Sequence, residues 1–262
     1  MPVNLAALLS RVAPPVTSSV AMGWPQIRDP STDAAFAAMD EYASYGVPMQ
    51  IGGYTLRQST PYTCGAMVVL LARYLCDTDF RQHLDANPHR IAEYEVEIFD
   101  QIRRNQQGIR LWPRRWGSPP WLLAQTMSNI LAQCSDSPDG KQTRVCYWDR
   151  PVAPHTELGH TIVDWILHAT CCGYPIPLYT GGDLRSGVRA AIPRHVVLAL
   201  PGAGTTPEGI PEIAIYDPAS GKIYRVPIYA LADRETPLAA FGHWTHIVWA
   251  VLANQHDKEL MQ

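Results

Sequence analysis

The segment Cys64–Cys76, CGAMVVLLARYLC, is almost wholly apolar and constrains the fold more than any other stretch of the chain. A helix that is apolar on nearly every side cannot lie on a surface, so other elements have to enclose it. It follows the turn Ser59-Thr-Pro-Tyr-Thr63, and Ile51-Gly-Gly-Tyr-Thr-Leu56 ahead of that turn reads as a short strand. Enclosing such a helix needs a substantial core, which 262 residues with 47% hydrophobic content supply. The 23 prolines and 18 glycines cut the remainder into short elements, without internal repeats.

Periodicity predicts further helices. One runs from Thr32 to Tyr45, with Ala35, Phe36, Met39 and Tyr42 on one face. A second spans Pro88 to Asn105, its Glu93, Glu95, Glu97, Asp100, Arg103 and Arg104 read as solvated. Two more cover Trp121–Gln133 and about Leu158–Cys172, the last stopped by Gly173 and Pro175. From Ala190 the texture becomes β-like, with runs at His195–Leu200, Glu212–Tyr216, Lys222–Val226 and His246–Leu252. Helices first and strands afterwards imply an α+β protein with an antiparallel sheet.

Charge excludes several partners. A net charge of -3, with 17% charged residues and no Lys/Arg block, gives no field for nucleic acid or an anionic membrane. The basic, aromatic stretch Arg110–Trp116 reads as a loop whose arginines cover apolar neighbours. No run of 18 apolar residues spans a bilayer, and Met1–Leu9 lacks the basic start and cleavage site of a signal peptide. Cytoplasmic synthesis is expected, with any export using another signal.

Cysteines 64, 76, 134, 146, 171 and 172 are too sparse for a disulfide framework. Cys171 and Cys172 follow His168, but no second CxxC or HxxxH pair completes a tetrahedral site; buried thiols at a helix end are expected, with no metal and no cofactor. His160, Asp164 and His168 share a helix face, which is either a polar surface or an imidazole-carboxylate or metal stripe.

Cys64 has the surroundings a nucleophile needs. A thiolate is favoured by the unpaired N–H groups and dipole of a helix N-terminus, and Cys64 opens the apolar helix. Gly65 behind it is read as leaving room for a substrate backbone. His195 starts a strand and Asp217 ends the next. A hairpin centred near residue 206 would oppose the two directly, within reach of an imidazole-carboxylate hydrogen bond. Gln58, on the strand-to-helix turn, can pair its amide with the Cys64 N–H as oxyanion donors, each worth about 10²–10³ in rate in known cases. His243-Trp-Thr-His246 reads as an edge or cleft wall, with Trp244 placed to stack on substrate.

Gln58-Ser-Thr-Pro-Tyr-Thr-Cys64-Gly-Ala66 resembles the glutamine and Cys-Gly-Ala motif of papain-like peptidases, most closely the bacterial peptidases that remove double-glycine leaders from bacteriocins. His195-Val-Val and Asp217-Pro-Ala-Ser-Gly221 are similar to that family's histidine at a strand start and Asp-Pro before a turn. The resemblance implies a papain-like fold and a cysteine peptidase or amide hydrolase using Cys64, His195, Asp217 and Gln58 on a protein or peptide. Deamidation or acyl transfer on the same fold, and a non-catalytic binding module, are the alternatives. Residues 1–50 read as an N-terminal extension and 51–256 as the catalytic domain, and the long step from Cys64 to His195 departs from the leader peptidases and implies a mainly helical insertion at about 87–190. Thr63 stands where the leader peptidases have Asp, and fused transporter segments are not expected. Stand-alone proteins resembling this family include secreted bacterial effectors and toxins, which implies an immunity or inhibitor protein as partner.

Overall fold

The computed structural model describes residues 43–104, 112–131, 144–153, 156–182, 195–206, 209–231, 234 and 236–256. The helix expected at Thr32–Tyr45, apart from its last residues, lies outside the described residues, as do Cys134 and the first two residues of the Arg110–Trp116 stretch.

The apolar segment forms α1 (Cys64–Cys76), buried without a break from Cys64 to Ala72. Asp77 ends it and starts α2 (Thr78–Ala86). Its N–H bonds the Arg73 carbonyl, and its carboxylate pairs with the Arg73 guanidinium at 3.2 Å and accepts the Phe80 N–H at 2.9 Å. Next, α3 (Ile91–Ile102) buries Ile91, Glu95, Ile98, Phe99 and Ile102, a stripe with helical spacing. In α4 (Pro120–Leu131) proline takes the first position, where its missing N–H has no intrahelical partner to lose. Both α3 and α4 pack on α1.

Among the described residues the strands are β1 (Val47–Pro48), β2 (Gln50–Ile51), β3 (Tyr54–Thr55), β4 (Arg144–Pro151), β5 (Ile176–Gly181), β6 (His195–Thr205), β7 (Pro211–Asp217), β8 (Lys222–Pro227) and β9 (His246–His256). Seven form one sheet in the order β1-β8-β7-β6-β5-β9-β4, with every neighbouring pair antiparallel, while β2 and β3 make a separate hairpin turned by Gly52 and Gly53. Between β4 and β5, α5 (Glu157–Cys171) is capped by Thr156, whose hydroxyl accepts the Gly159 N–H at 3.1 Å.

Both faces of the sheet are covered. Tyr179 opposes Val196, and Tyr216 opposes Leu198, so the two tyrosines share a face. Their hydroxyls donate to the Ser118 carbonyl at 2.7 Å and the Leu56 carbonyl at 2.8 Å, which places the α1 layer on that side. On the other side Trp165 of α5 meets Trp148 edge-on at 5.9 Å and donates from Nε1 to the Ala253 carbonyl. Helices on an antiparallel sheet are the α+β arrangement that the order of elements implied.

Three expectations need correction. The described part of residues 87–190 is mainly helical, but it is not an insertion, because it also supplies β4 and β5, and β5 is a fully buried strand between β6 and β9. Cys171 and Cys172 are exposed rather than buried, since α5 ends at the surface. Leu198 faces Tyr216, which continues to Val197 opposite Asp217, so His195 is offset from Asp217 by two positions. Thr205 faces Pro211, so the hairpin turns about residue 208, beyond its expected centre, and a ladder shift between Ala199 and Ala203, where Pro201 removes a donor and Gly202 takes φ +92°, takes back only half of the resulting offset. The offset is even, so the two side chains keep a common face.

Candidate active site

The start of α1, the start of β6 and the end of β7 meet at one end of the sheet. Thr63 precedes α1 without capping it. Its hydroxyl donates to the Thr60 carbonyl at 3.1 Å and shares a hydrogen bond with the Thr60 hydroxyl, so the first N–H groups of α1 face the site without a side-chain cap. Cys64 itself is 3% exposed.

His195 Nε2 donates to Asp217 Oδ1 at 2.6 Å, and the Cys64 thiol lies near enough to the imidazole to raise its pKa. With Nε2 committed to the carboxylate, Nδ1 is the ring atom left for sulfur. Burial pulls the imidazole pKa down, but the hydrogen bonds to Asp217 and Cys64 and their charges raise it from 6.5 to about 9. Burial likewise pushes the Asp217 carboxyl up, and the His195 bond and charge, with N–H donation from the following turn, hold it below its usual value. That turn is built by the carboxylate: Oδ1 accepts the Ala219 N–H at 3.0 Å and Oδ2 the Ser220 N–H at 3.1 Å.

Gln58 is fastened to the same turn. Its N–H donates to the Pro218 carbonyl at 2.9 Å, and Arg57 Nε donates to the Ala219 carbonyl at 2.8 Å. The Gln58 amide nitrogen donates to the Thr60 carbonyl at 2.7 Å, which leaves one amide hydrogen for an oxyanion, while its Oε1 is buried without a hydrogen-bond partner.

Gly65 does not open space for a substrate backbone, as expected from its small size. A Cβ there would meet Ser118 Oγ at 2.4 Å, so the glycine admits the Ser118 side chain instead. Trp244 is half-buried, packed against the core, and its carbonyl accepts the Leu238 N–H at 3.0 Å. It lies two residues after Gly242, in a tight turn where Gly242 has φ +63° and His243 φ +66°. A Cβ on Gly242 would sit 2.4 Å from the His195 ring, so glycine is required on conformational and steric grounds alike. The segment is a wall beside the imidazole, held by Thr180 Oγ1 donating to the Phe241 carbonyl at 2.9 Å.

Sequence reasoning missed Glu95, Ser118 and Gly242. Glu95 is 2% exposed, not solvated, and its carboxylate accepts the Ser59 N–H at 2.8 Å, holding the turn before Cys64. The only hint in the sequence was its place on the apolar face of α3. On α5, His168 Nε2 lies 3.6 Å from Cys172 Sγ, and among the described residues no three His, Cys, Asp or Glu side chains form a group able to hold a metal ion. No helix among the described residues is long and apolar enough to cross a membrane.

No family model, curated protein or solved structure matches the chain. The site is therefore defined by its geometry: an α+β protein in which thiol, imidazole and carboxylate stand in series at one end of an antiparallel sheet.

Proposed function

We propose that the protein is a papain-like cysteine hydrolase that cleaves an amide bond in a protein or peptide. The observation carrying this reading is the series Cys64–His195–Asp217, with a 2.6 Å imidazole-carboxylate bond and the thiol near enough to raise the pKa of the same ring. The antiparallel sheet, with the nucleophile's helix packed on it, supports the papain-like architecture.

In the reaction, Cys64 Sγ adds to the amide carbonyl carbon, and the oxygen takes the charge against the Cys64 N–H and the free Gln58 amide hydrogen. The C–N bond then breaks as the His195 imidazolium gives its proton to the leaving nitrogen, forming a thioester. Water, losing a proton to His195, adds to the thioester carbonyl; the C–S bond breaks, and acid and thiolate are released. Asp217 keeps the ring in position throughout and favours its cationic form. Deamidation and transfer to an amine acceptor share the same thioester and differ only in the leaving group or the acceptor.

Treatment with iodoacetamide or the epoxide E-64, with peptide mapping by mass spectrometry, tests the reading. Fast labelling confined to Cys64, and much slower in His195→Ala, is expected. Slow and uniform labelling of several cysteines would make the chain a binding module instead.

A further inference from the structure

Beside the nucleophile lies a cluster of tryptophans that the triad does not use. Trp112 meets Trp116 edge-on at 5.2 Å and Trp121 at 5.3 Å. Trp116 is 58% and Trp121 48% exposed, the two exposed indoles among the described residues. Adjoining exposed aromatics of this size mark a contact surface rather than scattered surface residues.

This loop is tied to the Cys64 turn from several directions. The Ser118 side chain fills the space above Gly65, and the Ser118 carbonyl is fixed by Tyr179. Arg114 lies 5.9 Å from the ring centroids of both Tyr62 and Phe99, and Arg103 Nε donates to the Trp112 carbonyl at 3.2 Å. Gly117, at φ +71° and ψ -144°, makes the bend between Trp116 and Ser118. Two residues of chain span at most about 7 Å, so Trp116 stays close to the residue that touches Gly65.

We propose that Trp116 and Trp121, braced by Trp112, form the subsite that takes an aromatic side chain of the peptide substrate. The inference rests on the hydrolase reading of Cys64 and names the substrate class for it. An extended peptide advances about 3.3 Å per residue, so the ring belongs two to four residues from the carbonyl bound at Cys64. Indole edges and faces held this way favour stacked or edge-on rings over aliphatic groups. Both ends of the platform are fastened before substrate arrives, which limits the entropy lost on binding.

A random peptide library digested by the purified protein, with products mapped by mass spectrometry, tests the proposal. Aromatic residues should be enriched about tenfold or more at one offset of two to four residues from the cut bond, and the enrichment should vanish in the double variant Trp116→Ala/Trp121→Ala. Absent enrichment, or enrichment that the double variant retains, overturns the proposal. If Cys64 neither cleaves nor labels, the hydrolase reading has failed, and the platform is then tested on Cys64→Ala protein by titrating matched Phe- and Ala-containing peptides against indole fluorescence. Binding of the Phe peptide that is at least about tenfold tighter, and lost in the Trp variants, upholds the subsite; equal binding overturns it. A concentration-dependent dimer abolished by the Trp variants overturns it in favour of a second copy of the chain.

Discussion

His195 is the residue on which the charge state of the site turns. Its pKa of about 9 exceeds the usual 6.5 because, against the pull of burial, Asp217 and Cys64 bond the ring and favour its cation. Below pH 6.5 the imidazole is protonated in both folded and unfolded chains, and these interactions stabilise the fold fully. As pH rises past 6.5 the unfolded chain loses its proton first, and the stabilisation decays until the folded pKa near 9 is passed. A shift of this size corresponds to about 3 kcal/mol at most. Urea midpoints should fall across this window in the native protein and fall less in Asp217→Asn, which removes the charge facing Nε2. Hydrolysis should fade above pH 9, where the leaving nitrogen loses its donor, and Asp217→Asn should move that alkaline limb toward 6.5 and lower the rate by up to about 10⁴. An alkaline limb that stays in place in Asp217→Asn would separate the carboxylate from the chemistry.

At the scale of elements, the segment from β3 to α1 carries Gln58 and Cys64 but has little secondary structure of its own. Backbone bonds to Pro218 and side-chain bonds from Arg57, Glu95 and Tyr216 hold it against the β7–β8 turn and α3. Burial keeps the Tyr216 phenol well above its usual pKa, so it remains a donor to the Leu56 carbonyl. Tyr216→Phe leaves that carbonyl unpaired and should lower stability by about 1–3 kcal/mol in urea unfolding. Labelling of Cys64 should slow as well, because Leu56 is two residues from Gln58; a loss of stability with unchanged labelling would mean that the Pro218 and Ala219 bonds position the segment alone. These ties explain what could be read in advance. Cys64, His195 and Asp217 sit at a helix start, a strand start and a turn, each marked by neighbouring residues. The register between β6 and β7 was misread because the hairpin turns where Thr205 faces Pro211, beyond the expected centre, and the ladder shift at Pro201 and Gly202 takes back only half of that offset. Glu95 reaches Ser59 across 36 residues, and Gly242 touches a ring far away in sequence, so no local pattern announces either.

Across the whole molecule, the part hardest to read was where the domain's own fabric lies. Strands β4 and β5 escaped notice because Pro151 and Pro177 fall within them, and proline argues against a strand wherever its missing N–H would be needed. Their absence from the reading made residues 87–190 look like a decoration on a smaller catalytic core. In the sheet, however, β5 pairs with β6 on one side and β9 on the other, so the strand bearing His195 and the last strand are joined only through it. The same stretch supplies α3 and α4, whose Ile98, Ile102, Leu123 and Met127 are buried in the core that also encloses α1. Each such side chain contributes roughly 1.5–3 kcal/mol by burial, so a handful matches the 5–15 kcal/mol by which a domain is typically stable. Deleting residues 87–190 and closing the gap with a flexible linker should therefore abolish cooperative unfolding, followed by circular dichroism and urea titration. Alkylation of Cys64 should then become as slow as that of any other thiol, since its helix would have lost its enclosure and His195 its frame. A truncated chain that unfolds cooperatively and still labels rapidly at Cys64 would mean that the stretch is dispensable, and that β6 and β9 can build the site without the strand between them.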